Sequence, residues 1–321
     1  MRAADAEHAY DGEGLLTIGA TIVGGVVAGP WGAVALGAGG LAIEKLLKGE
    51  AMLPEAQMLA QCREVIASEV KIFDRGANVQ VQAEIPDTDA IPIQDAQQWL
   101  KVPDVICVFV DMKDSTRLSA SAHDKGTASA FQLFTGGAVR ILNSFDPAYI
   151  DVRGDGAFAL FNKGSEHRAL VAAVSFKTFA HEVAVKKIKE RTDQDVGCHV
   201  GIDQKTVLVR KVGMKRVGGR TDRQNEVWAG KPVNMAAKLA SMSDHNQIVV
   251  SDRFFARLSD EHALVSCGCG KNGQQETLWS EIDLSKDTRF DFPKAHVLRS
   301  NWCVKHGAEY ADALLRATAS D

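Results

Sequence analysis

Six apolar residues in succession, Val105-Ile106-Cys107-Val108-Phe109-Val110, four of them β-branched, end abruptly at Asp111. With no polar alternation, such a run reads as a strand buried on both faces. Residues 125–145 follow with helical spacing of Phe131, Phe134, Val139 and Leu142. Residues 149–153 and 157–161 then flank Gly154-Asp155-Gly156, the signature of a hairpin turn. A helix over 167–190 comes next, and 196–203 with 206–212 read as a second strand pair. A helix over 232–242, a strand over 248–251 and short elements ending near Ile282 complete the order. That order predicts an α+β, ferredoxin-like fold, an antiparallel-rich sheet with helices on one face.

The rest of the 321-residue chain divides around this domain. Residues 14–43 (Gly14 to Ile43) contain no Lys, Arg, His, Asp or Glu, and nine of the thirty are Gly. Such a run has the length to span a bilayer, for which ~20 apolar residues suffice. Four acids precede it where a signal peptide carries cations, and Pro30-Trp31 splits it. Membrane contact and a buried helical hairpin are both open to it. Residues 54–73 have helical spacing, and 87–103, preceded by Pro86 and containing Pro92 and Pro103, read as a linker or arm. The expected division is 1–50, 51–104, a compact domain at 105–282, and a C-terminal extension at 283–321.

The charge balance, 37 Lys plus Arg against 41 Asp plus Glu, is −4 and argues against a dedicated nucleic-acid binder. Six scattered cysteines at this length read as reduced thiols of a cytoplasmic protein. Cys267 and Cys269 are close, but no second Cys or His pair at zinc spacing follows them, so no metal site is expected there.

Two acids stand where sheet chemistry is usually placed. Asp111 ends the buried strand, and Asp155 lies in the hairpin turn, so both project from neighbouring strand ends. A carboxylate pair of this kind can hold two divalent ions ~3.5–4 Å apart, the arrangement for in-line displacement at phosphorus. Oxygen ligands select Mg²⁺ or Mn²⁺ over zinc. Taken singly, Asp111 can serve as a cap and Asp155 as a turn former. The polar turn Asp114-Ser115-Thr116 runs into a helix whose first N–H groups could cradle phosphate, and a capping turn without ligand is equally consistent.

These residues resemble the class III nucleotidyl cyclases. Val108 through Ser119 is similar to that family's first strand, metal-binding Asp and phosphate turn. Arg153-Gly154-Asp155-Gly156 matches its second metal Asp, Val200 through Gly213 its long hairpin, and Gly230 through Leu239 its signature helix. The resemblance implies that Asp111, Asp155 and the Met112 carbonyl hold two metal ions, Mn²⁺ or Mg²⁺. It gives Asp114, Ser115 and Thr116 to the triphosphate, and Asn234 to the ribose. Lys238 stands where the family has Arg for the α-phosphate, and Ser115 where it usually has Phe. A homodimer with sites at the subunit interface is implied as well.

Base choice rests on departures from the family pattern. Adenine-specific members carry Lys four residues before the second metal Asp, and guanine-specific ones Glu; here the position is Asp151, with Arg153 on the same strand face. Asp151 accepting from uracil N3–H, with Arg153 donating to a carbonyl oxygen, favours UTP. Guanine also offers a ring N–H, cytosine does not, and adenine fits poorly. The second base-reading position falls within Glu226-Val227-Trp228, where a bulky Trp228 would shrink the pocket toward a pyrimidine. The pattern resembles the pyrimidine cyclases of the Pycsar anti-phage system. A cytidylate cyclase, a purine cyclase and a non-catalytic nucleotide-binding domain are the alternatives.

Two basic features have less specific readings. The segment 210–223 holds six Lys or Arg against Asp222 and reads more readily as a solvated hairpin than as a triphosphate clamp. Lys271 lies in a Gly-rich loop and could reach the β- and γ-phosphates as a C-terminal Lys of the family does, a reading its loop placement supports only weakly.

Overall fold

The computed structural model describes residues 60–214 and 223–318, and the chain divides into two units, 1–75 and 76–321. Of the first unit, α1 (Ala60–Arg75) is described. The charge-free run at 14–43 lies outside the described residues. Among those described, no helix is long and apolar enough to cross a membrane.

The second unit is built on one nine-stranded sheet. In chain order come β1 (Asn78–Val81), β2 (Gln98–Lys113), β3 (Tyr149–Arg153), β4 (Gly156–Phe161) and β5 (Gly197–Met214). β6 (Arg223–Gly230), β7 (Gln247–Ser251), β8 (Trp279–Asp283) and β9 (Lys294–Leu298) complete it. The spatial order is β3-β4-β2-β5-β7-β9-β8, with β1 paired to β2 and β6 to β5. Among the described strands, only the β1–β2 and β5–β7 pairs are parallel.

The apolar run 105–110 is fully central: β4 pairs it on one side and β5 on the other. Its side chains feed two cores. Ile106, Val108 and Val110 face a core with α3 (Asp124–Asn143) and α4 (Glu166–Phe179), where Phe134 and Phe176 meet edge to face. Val105 and Cys107 face the opposite side, toward Ala236 of α6 (Lys231–Met242). Helices therefore cover both faces, not the single face expected. At Gly201 of β5 a Cβ would fall 2.0 Å from the Ala236 carbonyl oxygen, so α6 rests directly on strand backbone.

Other departures have local causes. The expected strand pair 196–203 and 206–212 is one continuous strand, β5; Gln204 and Lys205 stay in register with β2, and the hairpin partner is β6. β2 begins at Gln98, within the expected linker, because a bulge between Val102 and Val105 absorbs Pro103 and Asp104 without ending the strand. Downstream of 282, β9 inserts between β7 and β8, so the sheet extends beyond the expected 105–282 limits at both ends. The helix of 167–190 is α4 continued through a π-helical turn (Ala180–Ala184) into α5 (Val185–Thr192).

Candidate active site

Cross-strand neighbours share a face, and that rule gathers the candidate residues. Asp111 alternates with Cys107 and Phe109, hence points to the α6 side of the sheet. Tyr149 pairs with Leu160 and Asp151 with Phe158, both in the core of that same side. Arg153 is next in alternation, so Asp111, Asp151 and Arg153 lie on the sheet face that carries α6.

Asp155 sits in the two-residue turn between Arg153 and Gly156, next to the end of β2. Burial first, and then the Asp155 charge, push the Asp111 carboxyl up to about 7, while the Met112 N–H donates to it and lowers it. Two neighbouring carboxyl groups of which one is largely enclosed disfavour being ionised together. A divalent cation is the counterion that fits them, with hard oxygen ligands as the donor set. Met112 buries its side chain, so its available donor is the backbone carbonyl.

Asp114 takes a left-handed conformation (φ 64°) at the head of α2 (Ser115–Ser121). The first intrahelical bond runs from Leu118 N–H to Asp114 O, so the N–H groups of Ser115 and Thr116 precede it and have no partner within the helix.

The base candidates also converge. Arg153 pairs with Asp151 at 2.5 Å. The Tyr149 hydroxyl donates to Glu226 at 3.2 Å, and its ring lies 4.7 Å from that of Trp228, which is buried. Tyr149 thereby joins β3 to β6 and brings the 151–153 and 226–228 positions together. It was not among the expected site residues, although it stands two positions before Asp151 on the same strand face. Lys211 lies 3.9 Å from Glu226, buried, and Arg210 is buried under Trp99 with a bond to the Ala96 carbonyl. These two are packed and partnered, not a solvated face; Lys215, Arg216 and Arg220 of the same basic segment lie outside the described residues.

Asn234 and Lys238 are one turn apart on α6. Asn234 is exposed, and Lys238 donates to the Arg289 carbonyl oxygen at 3.0 Å. Among the described residues, neither side chain bonds to Asp111 or Asp155 of its own chain. Lys271 pairs with Glu276 in a loop beside Cys267 and Cys269.

The profile of the adenylate and guanylate cyclase catalytic domain matches residues 98–272, beginning where β2 begins. The chain belongs to the class III nucleotidyl cyclase family. It is a nucleotide cyclase. A uridylate cyclase from Micromonospora echinofusca is 35% identical over 255 residues, covering 78% of this chain and 79% of that one. A uridylate cyclase from Propioniciclava tarda is 32% identical over 271 residues, covering 82% and 86%. Among solved structures, the adenylyl cyclase CyaB from P. aeruginosa superposes with a TM-score of 0.50 at 13% identity, over 63% of this cyclase and 96% of that chain. That likeness concerns the fold alone.

Proposed function

We propose that this cyclase converts UTP to 3′,5′-cyclic UMP and pyrophosphate, as a homodimer serving bacterial anti-phage defence. The observation that carries the base choice is the shared face of Asp151 and Arg153, tied through Tyr149 to Glu226 and Trp228. This patch offers a carboxylate acceptor for uracil N3–H and guanidinium donors for a carbonyl oxygen. Adenine would set its unprotonated N1 against the Asp151 carboxylate. The names of the two relatives agree with this choice.

In the reaction the ribose 3′-oxygen bonds to the α-phosphorus, the bond to the bridging oxygen breaks, and pyrophosphate leaves. The 3′-hydroxyl proton passes to solvent. Asp111, Asp155 and the Met112 carbonyl would hold two divalent ions, Mg²⁺ or Mn²⁺, which supply Lewis acidity at the 3′-oxygen and offset triphosphate charge. The N–H groups at Asp114, Ser115 and Thr116 would bind triphosphate oxygens. Asn234 orients the ribose for in-line attack, and Lys238 places its charge at the α-phosphate. Lys lacks the bidentate fork of Arg, so this stabilisation is weaker per contact. The exposed Asn234, with no bond to its own Asp111, supports a site completed by a second subunit.

Incubating the purified protein with ATP, GTP, CTP and UTP in turn, each with Mn²⁺, and identifying products by mass tests the reading. Cyclic UMP is expected to dominate; preferential conversion of ATP overturns it.

A further inference from the structure

We propose that Cys267, Cys269, Cys303 and His306 form a structural zinc site that fastens the C-terminal helix to the cyclase domain. The second ligand pair does follow Cys267-Gly-Cys269 after all, but 34 positions along, as Cys303-Val-Lys-His306. The fold closes that gap. The loop carrying Cys267 and Cys269 is held by a bridge between Val265 and Thr277. Its turn is fixed by Lys271 and Gly273 N–H groups, both donating to the Gly268 carbonyl at 3.0 Å. The Ser266 hydroxyl accepts from Gly268 and Glu276 N–H groups, bracing the same turn. Cys303 and His306 come from the turn that opens α7 (Gly307–Thr318), closed by Gly307 N–H to the Cys303 carbonyl at 2.7 Å.

The three sulfurs and the imidazole nitrogen lie within 4.8 Å of one another. The edge of a tetrahedral thiolate site, from Zn–S bonds of ~2.3 Å, is about 3.8 Å. Cys269 Sγ stands 3.2 Å from His306 Nδ1, already inside that spacing. The backbone N–H groups of His306 and Lys305 point to Cys303 Sγ, the bonding that favours a thiolate ligand. All six cysteines are free thiols, so no disulfide competes within this geometry. Three thiolates and one imidazole fill a four-coordinate shell with soft donors, the signature of a closed structural zinc site. It differs in kind from the oxygen site at Asp111 and Asp155.

The consequence is mechanical. Leu314 of α7 enters the core beside α4, and Lys177 of α4, fully buried, donates to the Arg299 carbonyl and the Asn301 side chain. Zinc would close the loop between 267–269 and the head of α7, holding that helix in place.

Metal analysis of the full chain, purified without chelators, followed by Co²⁺ titration of the stripped protein, tests this. One zinc per chain is expected, with cobalt giving intense tetrahedral d–d bands and thiolate charge-transfer absorption. Those bands are lost in Cys303→Ser and His306→Ala and kept in Cys62→Ser. Oxygen-ligated cobalt gives neither band, so the wild-type spectrum decides even where a variant misfolds. Zinc-free protein with only oxygen-type cobalt absorption overturns the proposal. So does a disulfide among Cys267, Cys269 and Cys303 in the purified protein.

Discussion

The Asp111 carboxylate lies directly against the backbone at Gly156, where a Cβ would stand 2.7 Å from Oδ1 and 2.9 Å from the Val110 carbonyl oxygen. The hairpin that carries Asp155 is thus seated on the strand end that carries Asp111. Gly156→Ala must displace one or the other. We expect a stability loss of about 1–3 kcal/mol from overpacking and a larger fall in metal-dependent activity. A Mn²⁺ titration of turnover measures it, with half-saturation moving at least tenfold upward. Unchanged half-saturation would separate Gly156 from the metal site.

The same enclosure predicts a pH dependence. Asp111 titrates near 7 in the folded chain, raised by burial and then by Asp155, far above an unfolded aspartate. Between about pH 4 and about pH 7 the folded state therefore holds a proton that the unfolded state has released. This group's contribution to metal-free stability falls as pH rises through that window. Divalent ions displace the proton, so their affinity drops by up to about tenfold per unit below pH 7. Mn²⁺ binding measured from pH 5.5 to 8 checks the slope. Asp111→Asn abolishes turnover and flattens the metal-free stability profile in that window.

A site shared between two subunits, as proposed above, has its own signature. Asp111→Ala and Asn234→Ala are each expected to be inactive. Mixed and allowed to exchange subunits, they should regain up to about a quarter of wild-type activity, because half the dimers are mixed and each has one intact site. No recovery despite verified exchange would place both residues in one chain's site.

Lys177 supports the fold without touching the chemistry. Its ammonium is fully enclosed, donating to the Arg299 carbonyl and Asn301 Oδ1 at 2.9 Å each. Lys177→Met leaves those acceptors unpaired, a loss of about 2–4 kcal/mol, or on the order of 5–15 °C in melting temperature for a domain of this size. Thermal unfolding in excess metal reads it out.

Much of this molecule is legible before any coordinates. The run 105–110 announces a central strand because a strand covered on both faces needs no polar alternation, and Asp111 marks its end. The turn Gly154-Asp155-Gly156 is equally plain. Long-range consequences are harder to read. β5 looks like two strands because Gln204 and Lys205 are polar, yet Gln204 is buried and bonded to Glu166, so the polarity belongs to packing and not to a turn. Pro103 looks like a break because a bulge is invisible without its partner strand. β9 and the Cys303–His306 pair are distant in sequence from what they complete. Tyr149 carries no signal in the sequence, because a lone tyrosine on a strand gains its role only once Glu226 and Trp228 of β6 pack against it.

The most direct measurement of base selection is the ratio of kcat/KM for UTP to that for CTP, in wild type and Asp151→Asn side by side. An Asn amide can donate to cytosine N3, whereas the Asp carboxylate can only accept from uracil N3–H. Wild type is expected to prefer UTP, and the variant to lose that preference at least tenfold. A ratio unmoved by the substitution, or a wild type that turns over ATP faster than UTP, would contradict it.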